Sequence, residues 1–239
     1  NYTLDKALKV QRAARMLHNY AVAQPDAHHI IFKYPKMVLG VGRSECELLT
    51  KRFDVFGPHY PDLKLLDKKA IARIEPNVAM HGDKFRDDEI LALGSTDEYT
   101  AVNFEALSRS FVRQSQLEAA KSPDKTVDIN YNEYVEDIRI DGDEFIVETQ
   151  GVCYRARSLV ACAGGHSLKL AHDLGYGHHY SVLPIAGSYY FTPHVLNGKV
   201  YTVQNDALPF AAIHGDPDVL VPGKTRFGNV LLEKGCTTS

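Results

Sequence analysis

The sequence predicts a mixed α+β (α/β-type) chain in which a helical and a sheet-rich sub-structure interleave. Three observations predict it. Apolar residues recur at helical spacing in several capped segments of the first 120 positions. After residue 126 the pattern changes to alternation broken by turn residues. The strands do not follow one another through helices in simple βαβ order, which argues against one doubly wound sheet.

Taken in order, Thr3 caps a helix running to about Ala23, with Leu4, Ala7, Leu8, Ala14, Leu17 and Ala21 on one face. Residues 28–34 and 36–41 read as two strands joined at a Tyr-Pro corner. Ser44 to about His59 is a second helix. Asp67 caps a short third helix that stops before Glu75-Pro76, because the residue before proline is pushed out of the helical region. Asn103 caps a fourth, with Phe104, Leu107, Phe111 and Leu117 expected on its buried side. Residues 126–130 form a short strand. Residues 133–140 and 144–149 flank Asp141-Gly142 and predict a hairpin. An apolar strand over 155–163 runs into Gly164-Gly165, then residues 167–174 are helical and Gly175 stops them. From Ser181 onward strands and tight turns are expected.

The 239 residues suffice for one large or two small domains. Hydrophobic residues make up 44% and charged residues 24%, with a net charge of -3, so there is no basic footprint for nucleic acid. No apolar run is long enough to span a bilayer. Cys46, Cys153, Cys162 and Cys236 share no CxxC spacing and read as reduced, mostly buried thiols of a cytosolic protein. His28-His29 and His178-His179 are adjacent pairs that would point to opposite faces of a strand, and no metal site is expected. Asp87-Asp88-Glu89 reads as a solvated charge run. No Gly-x-Ser-x-Gly elbow supports hydrolase chemistry.

The stretch "MVLGVGRSECE" (37–47) imitates a dinucleotide turn: an apolar strand, Gly-x-Gly, then a helix. It is read as a decoy. The third glycine position holds Glu45, whose carboxylate occupies and repels the place of a pyrophosphate. Ser44 and Glu47 are expected to form a capping box that satisfies the helix's free N–H groups.

Later segments carry a more specific signal. They are "NEYVEDIRIDGDEFIVETQG" (132–151), "YRARSLVACAGGHSLKLAHDLG" (154–175), "VLPIAGSYYF" (182–191) and "DALPFAAIHGDPDVLVPGKTRFG" (206–228). In this order they resemble the FAD-dependent oxidoreductases of the D-amino-acid-oxidase-like superfamily, most closely the bacterial malate:quinone oxidoreductases. "KMVLGVG" (36–42), "IEPNVA" (74–79) and "YTAVNFEALSRSF" (99–111) fit that family too. The resemblance reaches from the start to about Gly228.

The resemblance implies a partial FAD-binding Rossmann-like domain interleaved with a mixed-sheet substrate domain. Residues 1–30 and 95–180 fall on the cofactor side, 31–94 and 181–228 on the substrate side, and 229–239 form an atypical tail. The family's Gly-x-Gly-x-x-Gly motif lies ahead of the segment matching residue 1, and its closing C-terminal segment follows "RFG". The chain is therefore expected to be an internal fragment. Val135 matches the strand position whose backbone meets adenine. Ala163, Gly164 and Gly165 match the second cofactor turn, and Gly228 ends the segment beside the flavin.

Oxidation of a 2-hydroxy acid removes a hydride from C2, taken by the flavin, and a proton from the hydroxyl. His214 matches a histidine placed near the flavin in related hydroxy-acid oxidases and is the candidate base. Arg226 is the candidate two-pronged carboxylate clamp, with Lys224 as the alternative. Tyr189 or Tyr190 lines the substrate pocket; alternation allows only one. The implied activity is conversion of (S)-malate to oxaloacetate with membrane quinone as acceptor, by a protein peripheral on the inner face of the bacterial cytoplasmic membrane. L-lactate and L-2-hydroxyglutarate stay open as substrates. A non-catalytic ligand- or partner-binding fragment stays open as another class, as does a fragment that associates through an exposed strand edge.

Overall fold

The computed structural model describes residues 3–183, 188–204 and 212–228. Gly187, residues 205–211 of the fourth motif, Cys236 and the tail 229–239 lie outside the described residues. In chain order the elements are α1 (Leu4–Val22), α2 (Ala27–Ile30), β1 (Ile31–Lys33), β2 (Lys36–Val41), α3 (Arg43–Phe56), β3 (Lys64–Leu66), α4 (Lys68–Ile74) and α5 (Pro76–Ala79). There follow β4 (Met80–His81), β5 (Lys84–Phe85), β6 (Ile90–Ser95), β7 (Tyr99–Val102), α6 (Phe104–Ala119), β8 (Val135–Asp141), β9 (Glu144–Thr149), β10 (Cys153–Ala156) and α7 (Ser167–Asp173). The last are β11 (Tyr189–Pro193), β12 (Lys199–Thr202), β13 (His214–Pro217) and β14 (Lys224–Gly228).

Two compact units result, Asn1–Ser115 with Gly187–Ser239, and Gln116–Ala186. The first is built on a seven-stranded sheet of order β11-β14-β13-β12-β2-β6-β3. Only β12 and β2 pair in parallel, so the sheet is mixed. Alternation puts Met37, Leu39, Leu66, Ala92 and Val200 on one face, where they pack with Ile71 and Ala79 of α4 and α5. Full burial of a side chain such as Ile71 contributes about 1.5–3 kcal/mol. A smaller cluster joins α1 to α6 through Ala21, Ile30, Ile31 and Leu107. The second unit holds the antiparallel meander β10-β9-β8 and α7.

The local capping chemistry behaves as read. Thr3 Oγ1 accepts from Lys6 N–H, Asp67 Oδ1 from Ala70 N–H, and Asn103 Oδ1 from Ala106 N–H. One buried carboxylate also ties α4 to the sheet. Glu75, 1% exposed, accepts the backbone N–H groups of Asn197 and Gly198 at the entry to β12. Burial pushes its carboxyl above the ordinary glutamate range, and the two backbone donors oppose that rise.

Other expectations are corrected. His28 to Ile30 belong to the helical turn α2, closed by His29 N–H to the Asp26 carbonyl; the strand begins at Ile31. Residues 126–130 form no strand, because no described strand pairs with them in a ladder. The strand expected over 155–163 ends at Ala156. Beyond it no strand among the described residues offers a ladder, and Val160 is left 82% exposed. On α6 only Leu107 of the four expected apolar residues is buried. Phe104, Phe111 and Leu117 are 69%, 44% and 52% exposed; the fully buried stripe runs through Leu107 and Ser110, and Phe111 flanks it with its ring 4.5 Å from that of Tyr20. Ser110 Oγ meets Tyr20 Oη there at 3.1 Å. Of the described thiols Cys46 is buried, but Cys153 and Cys162 are exposed.

The capping box expected in the 37–47 turn does not form. Gly42, at φ +81°, is the last residue before α3, so Ser44 already lies inside the helix and cannot cap it. Glu47 pairs with Arg43 instead. Glu45 turns back, and its Oε2 accepts the Val41 N–H at 2.8 Å. Its carboxylate stands at the mouth of the helix where a pyrophosphate would need the space.

Candidate active site

The second face of the large sheet carries polar groups in two rows. Register aligns Tyr189, Gly228, His214 and Tyr201 across β11, β14, β13 and β12. Two residues along each strand, Phe191, Arg226 and Asp216 form the adjoining row, where Lys199 meets Asp216 as an ion pair. Alternation gives both rows one face. Tyr190 pairs with Phe227 and has the opposite parity, so Tyr189 is the tyrosine on the site face.

Gly228 is what lets the first row close. A Cβ there would lie 2.7 Å from Cε1 of His214 and 2.7 Å from Cε1 of Tyr189, closer than carbon atoms approach. The His214 ring stacks on Tyr201, with centroids 5.1 Å apart and planes at 14°. Tyr189 meets it edge-on at 6.1 Å. Arg226 lies over the Tyr189 ring, its Cζ 4.8 Å from the centroid.

Charge in the patch centres on Asp216, which is 3% exposed. Lys199 Nζ lies 3.5 Å from its Oδ1 and His214 Nε2 3.7 Å from its Oδ2. Tyr201 Oη donates to Oδ1 at 3.5 Å. Burial, and after it the Asp216 carboxylate, push the Tyr201 phenol up to about 12, so it stays a donor at neutral pH. Arg226 reaches Asp218 at 3.7 Å through one terminal nitrogen, while its buried Nε has no hydrogen-bond partner among the described residues. The buried Nε is out of an anion's reach, but the terminal nitrogens, held by Asp218 only at ion-pair distance, keep donor capacity for one.

The structure thus gathers His214, Arg226, Tyr189 and Gly228 on one sheet face. Lys224 shares their parity but stands exposed at the outer end of β14, with Arg226 between it and Gly228. In the second unit Val135 opens β8 opposite Thr149, beside an irregularity in the register. Ala163 N–H donates to Ser167 Oγ at 2.9 Å. Gly164 has φ +57°, and a Cβ on either Gly164 or Gly165 would meet nothing within 4 Å, so their backbone is open to close approach. Among the described residues no cluster of histidine, cysteine and acidic groups can hold a metal, and no helix is long and apolar enough to cross a membrane.

The profile of the malate:quinone oxidoreductase (Mqo) family matches residues 3–223. The chain belongs to that family. It is 41% identical over 238 residues to a probable malate:quinone oxidoreductase of Campylobacter jejuni, covering 97% of this chain and 52% of the relative. It is 40% identical over 234 residues to a malate:quinone oxidoreductase of Helicobacter pylori, covering 97% and 51%. The chain spans about half the length of the curated relatives it matches. Among solved structures the fold is similar to glycine oxidase from Bacillus cereus, with TM-score 0.69, 15% identity, and coverage of 95% of this chain and 56% of that one. L-proline dehydrogenase from P. horikoshii gives TM-score 0.62 at 14% identity, covering 96% and 56%. A glycerophosphate oxidase from Mycoplasma pneumoniae, solved with FAD bound, gives TM-score 0.56 at 16%, covering 83% and 50%.

Sequence reading missed Tyr201, Asp216 and Lys199. Asp216 was within reach: His-x-Asp on a strand puts both side chains on one face. Tyr201 and Lys199 reach the site only through the pairing of β12 with β13, which no local pattern announces.

Proposed function

We propose that the full-length protein is an FAD-dependent dehydrogenase that oxidises (S)-malate to oxaloacetate and delivers the electrons to a membrane quinone. The observation that carries this is the sheet face on which His214, Arg226 and Tyr189 converge around Gly228, in a chain of the malate:quinone oxidoreductase family.

The residues present fit the cofactor. The backbone at Gly164 and Gly165, with nothing within 4 Å of where a Cβ would stand, leaves room for the cofactor to approach closely. We assign Ala163, Gly164, Gly165 and the Val135 backbone to FAD in the second unit, and Gly228 in the first. The cofactor side is 1–30 with 95–180, and the substrate side 31–94 with 181–228. FAD, when bound, supplies the two-electron acceptor that no side chain provides.

The chain's own groups do the rest. Arg226 holds a substrate carboxylate through donors that Asp218 leaves free. Tyr189 braces the guanidinium by lying under it. Nδ1 of His214 lies 3.3 Å from the Ala212 carbonyl, and we assign the ring proton there. Nε2 then carries the lone pair that accepts the substrate hydroxyl proton. Lys224 is the alternative clamp, reached by a longer substrate. Quinone is a membrane solute, so we place the protein peripherally on the inner face of the cytoplasmic membrane.

Steady-state assays of the full-length protein with a soluble quinone analogue test the reading. Turnover with (S)-malate well above that with L-lactate or L-2-hydroxyglutarate is expected. Turnover with lactate but not malate would overturn the substrate assignment.

A further inference from the structure

Asp216 has no role in the reading above, yet it is the most buried charge on the site face. An aspartate 3% exposed is costly unless its surroundings compensate it. Here Lys199 balances its charge at 3.5 Å and Tyr201 Oη donates to the same oxygen, Oδ1. The second oxygen, Oδ2, faces Nε2 of His214 at 3.7 Å. Tyr201 does two things at once: its ring stacks on the imidazole, and its hydroxyl orients the carboxylate. Both ring nitrogens of His214 therefore face oxygen acceptors, the Ala212 carbonyl at Nδ1 and Asp216 at Nε2. Nδ1 is within hydrogen-bond distance of its acceptor, whereas Nε2 stands beyond it from Asp216, so the carboxylate acts on the ring through its charge and leaves Nε2 open to an incoming proton.

We infer that Asp216, oriented by Tyr201, is a positioning residue for His214: it aligns the ring and stabilises the imidazolium formed when the substrate proton arrives. This inference rests on the proposed role of His214 as base. The balance is simple. The substrate O–H bond breaks and its proton goes to Nε2, while the C2–H bond gives its hydrogen and electron pair to the flavin. The positive charge on the ring appears only during this step, so an anion beside Nε2 acts on the rate and not on substrate binding. The other charged and titratable groups facing the ring are Tyr201 and Lys199 from β12, Tyr189 from β11 and Arg226 from β14. Among the described residues Asp216 is the one anionic group within ion-pair distance of Nε2.

The test is a double-mutant cycle on the full-length, FAD-loaded protein, with kcat and KM for (S)-malate measured separately. His214→Gln is expected to lower kcat by about 100-fold or more, in the range of a lost general base. Asp216→Asn is expected to lower kcat at least tenfold with KM changed less than threefold. In the His214→Gln background the Asp216→Asn change is expected to cost nothing further, because the two act as one unit. If His214→Gln keeps full activity, the base reading itself fails. If His214→Gln is inactive while Asp216→Asn is not, or if the two losses add, only the positioning role fails. Should Asp216→Asn lose its flavin, Tyr201→Phe replaces it in the cycle, removing only the hydroxyl. A severalfold drop in kcat that vanishes without His214 supports the inference, and an unchanged or additive effect overturns it.

Discussion

The rings of His214 and Tyr189 close over Gly228 only because it carries no side chain: a Cβ there would lie 2.7 Å from each. The strand pairing opposes Gly228 to both residues and so sets it between the two rings. Gly228→Ala is expected to push one ring aside by about 1 Å. Displacements of that size cost on the order of 100-fold in rate when they misplace a reacting group. Malate turnover of the full-length variant checks this, with a melting curve to establish that the fold is kept. Undiminished kcat/KM would remove Gly228 from the account.

Arg226 differs from a lysine in ways the geometry makes measurable. Its guanidinium lies over Tyr189 and keeps an unpartnered Nε. Arg226→Lys retains the charge but loses the planar fork. We expect KM for (S)-malate to rise about 10- to 100-fold, the equivalent of roughly 1.5–3 kcal/mol for a charge-assisted hydrogen bond. Lys224→Gln, by contrast, is expected to change KM less than threefold, because Lys224 stands at the exposed end of the strand. A larger effect at Lys224 than at Arg226 would exchange their roles.

Glu75 predicts a pH dependence of stability. Burial raises its folded-state pKa above the ordinary 4.5, so between that value and the folded pKa the native state binds a proton that the unfolded chain does not. Its contribution to stability therefore falls as pH rises through that window and is fully present below it. Comparing melting temperatures of the wild type and Glu75→Gln from pH 4.5 upward, the difference is expected to move in favour of the glutamine variant. Glu75→Ala, which leaves the Asn197 and Gly198 N–H groups without their acceptor, is expected to cost about 3 kcal/mol.

Glu45 tests the reading of the Gly40–Gly42 turn. Its carboxylate is bonded to the Val41 N–H, and no phosphate role is assigned to this turn. Glu45→Gln is expected to leave the flavin content of the full-length protein unchanged and to lower stability by about 1 kcal/mol. Increased FAD affinity in the variant would mean that the turn does contact the cofactor.

What was legible in the sequence was what local chemistry decides. Thr3, Asp67 and Asn103 announce helix starts because a side-chain oxygen satisfies a nearby N–H whatever the rest of the chain does. The hairpin of β8 and β9 was legible in its turn residues for the same reason. What failed depends on partners distant in sequence. Residues 157–163 are apolar enough for a strand but have no described neighbour to pair with. Phe104 and Leu117 lie at helical spacing, yet the face of α6 that meets α1 is the one carrying Leu107, Ser110 and Phe111, the last two against Tyr20. At the site, His214 and Arg226 were found through resemblance to a family. Tyr201 and Lys199 became visible only when the sheet brought β12 alongside β13.

The central claim is that the full-length protein binds FAD and uses it to oxidise malate. Its most direct test is to purify that protein, confirm a visible flavin band, and add (S)-malate without oxygen or quinone. The band is expected to bleach, and a quinone analogue to restore it. A retained flavin that malate leaves oxidised, while L-lactate or L-2-hydroxyglutarate bleaches it, would contradict the substrate assignment, and a protein that retains no flavin at all would contradict the account as a whole.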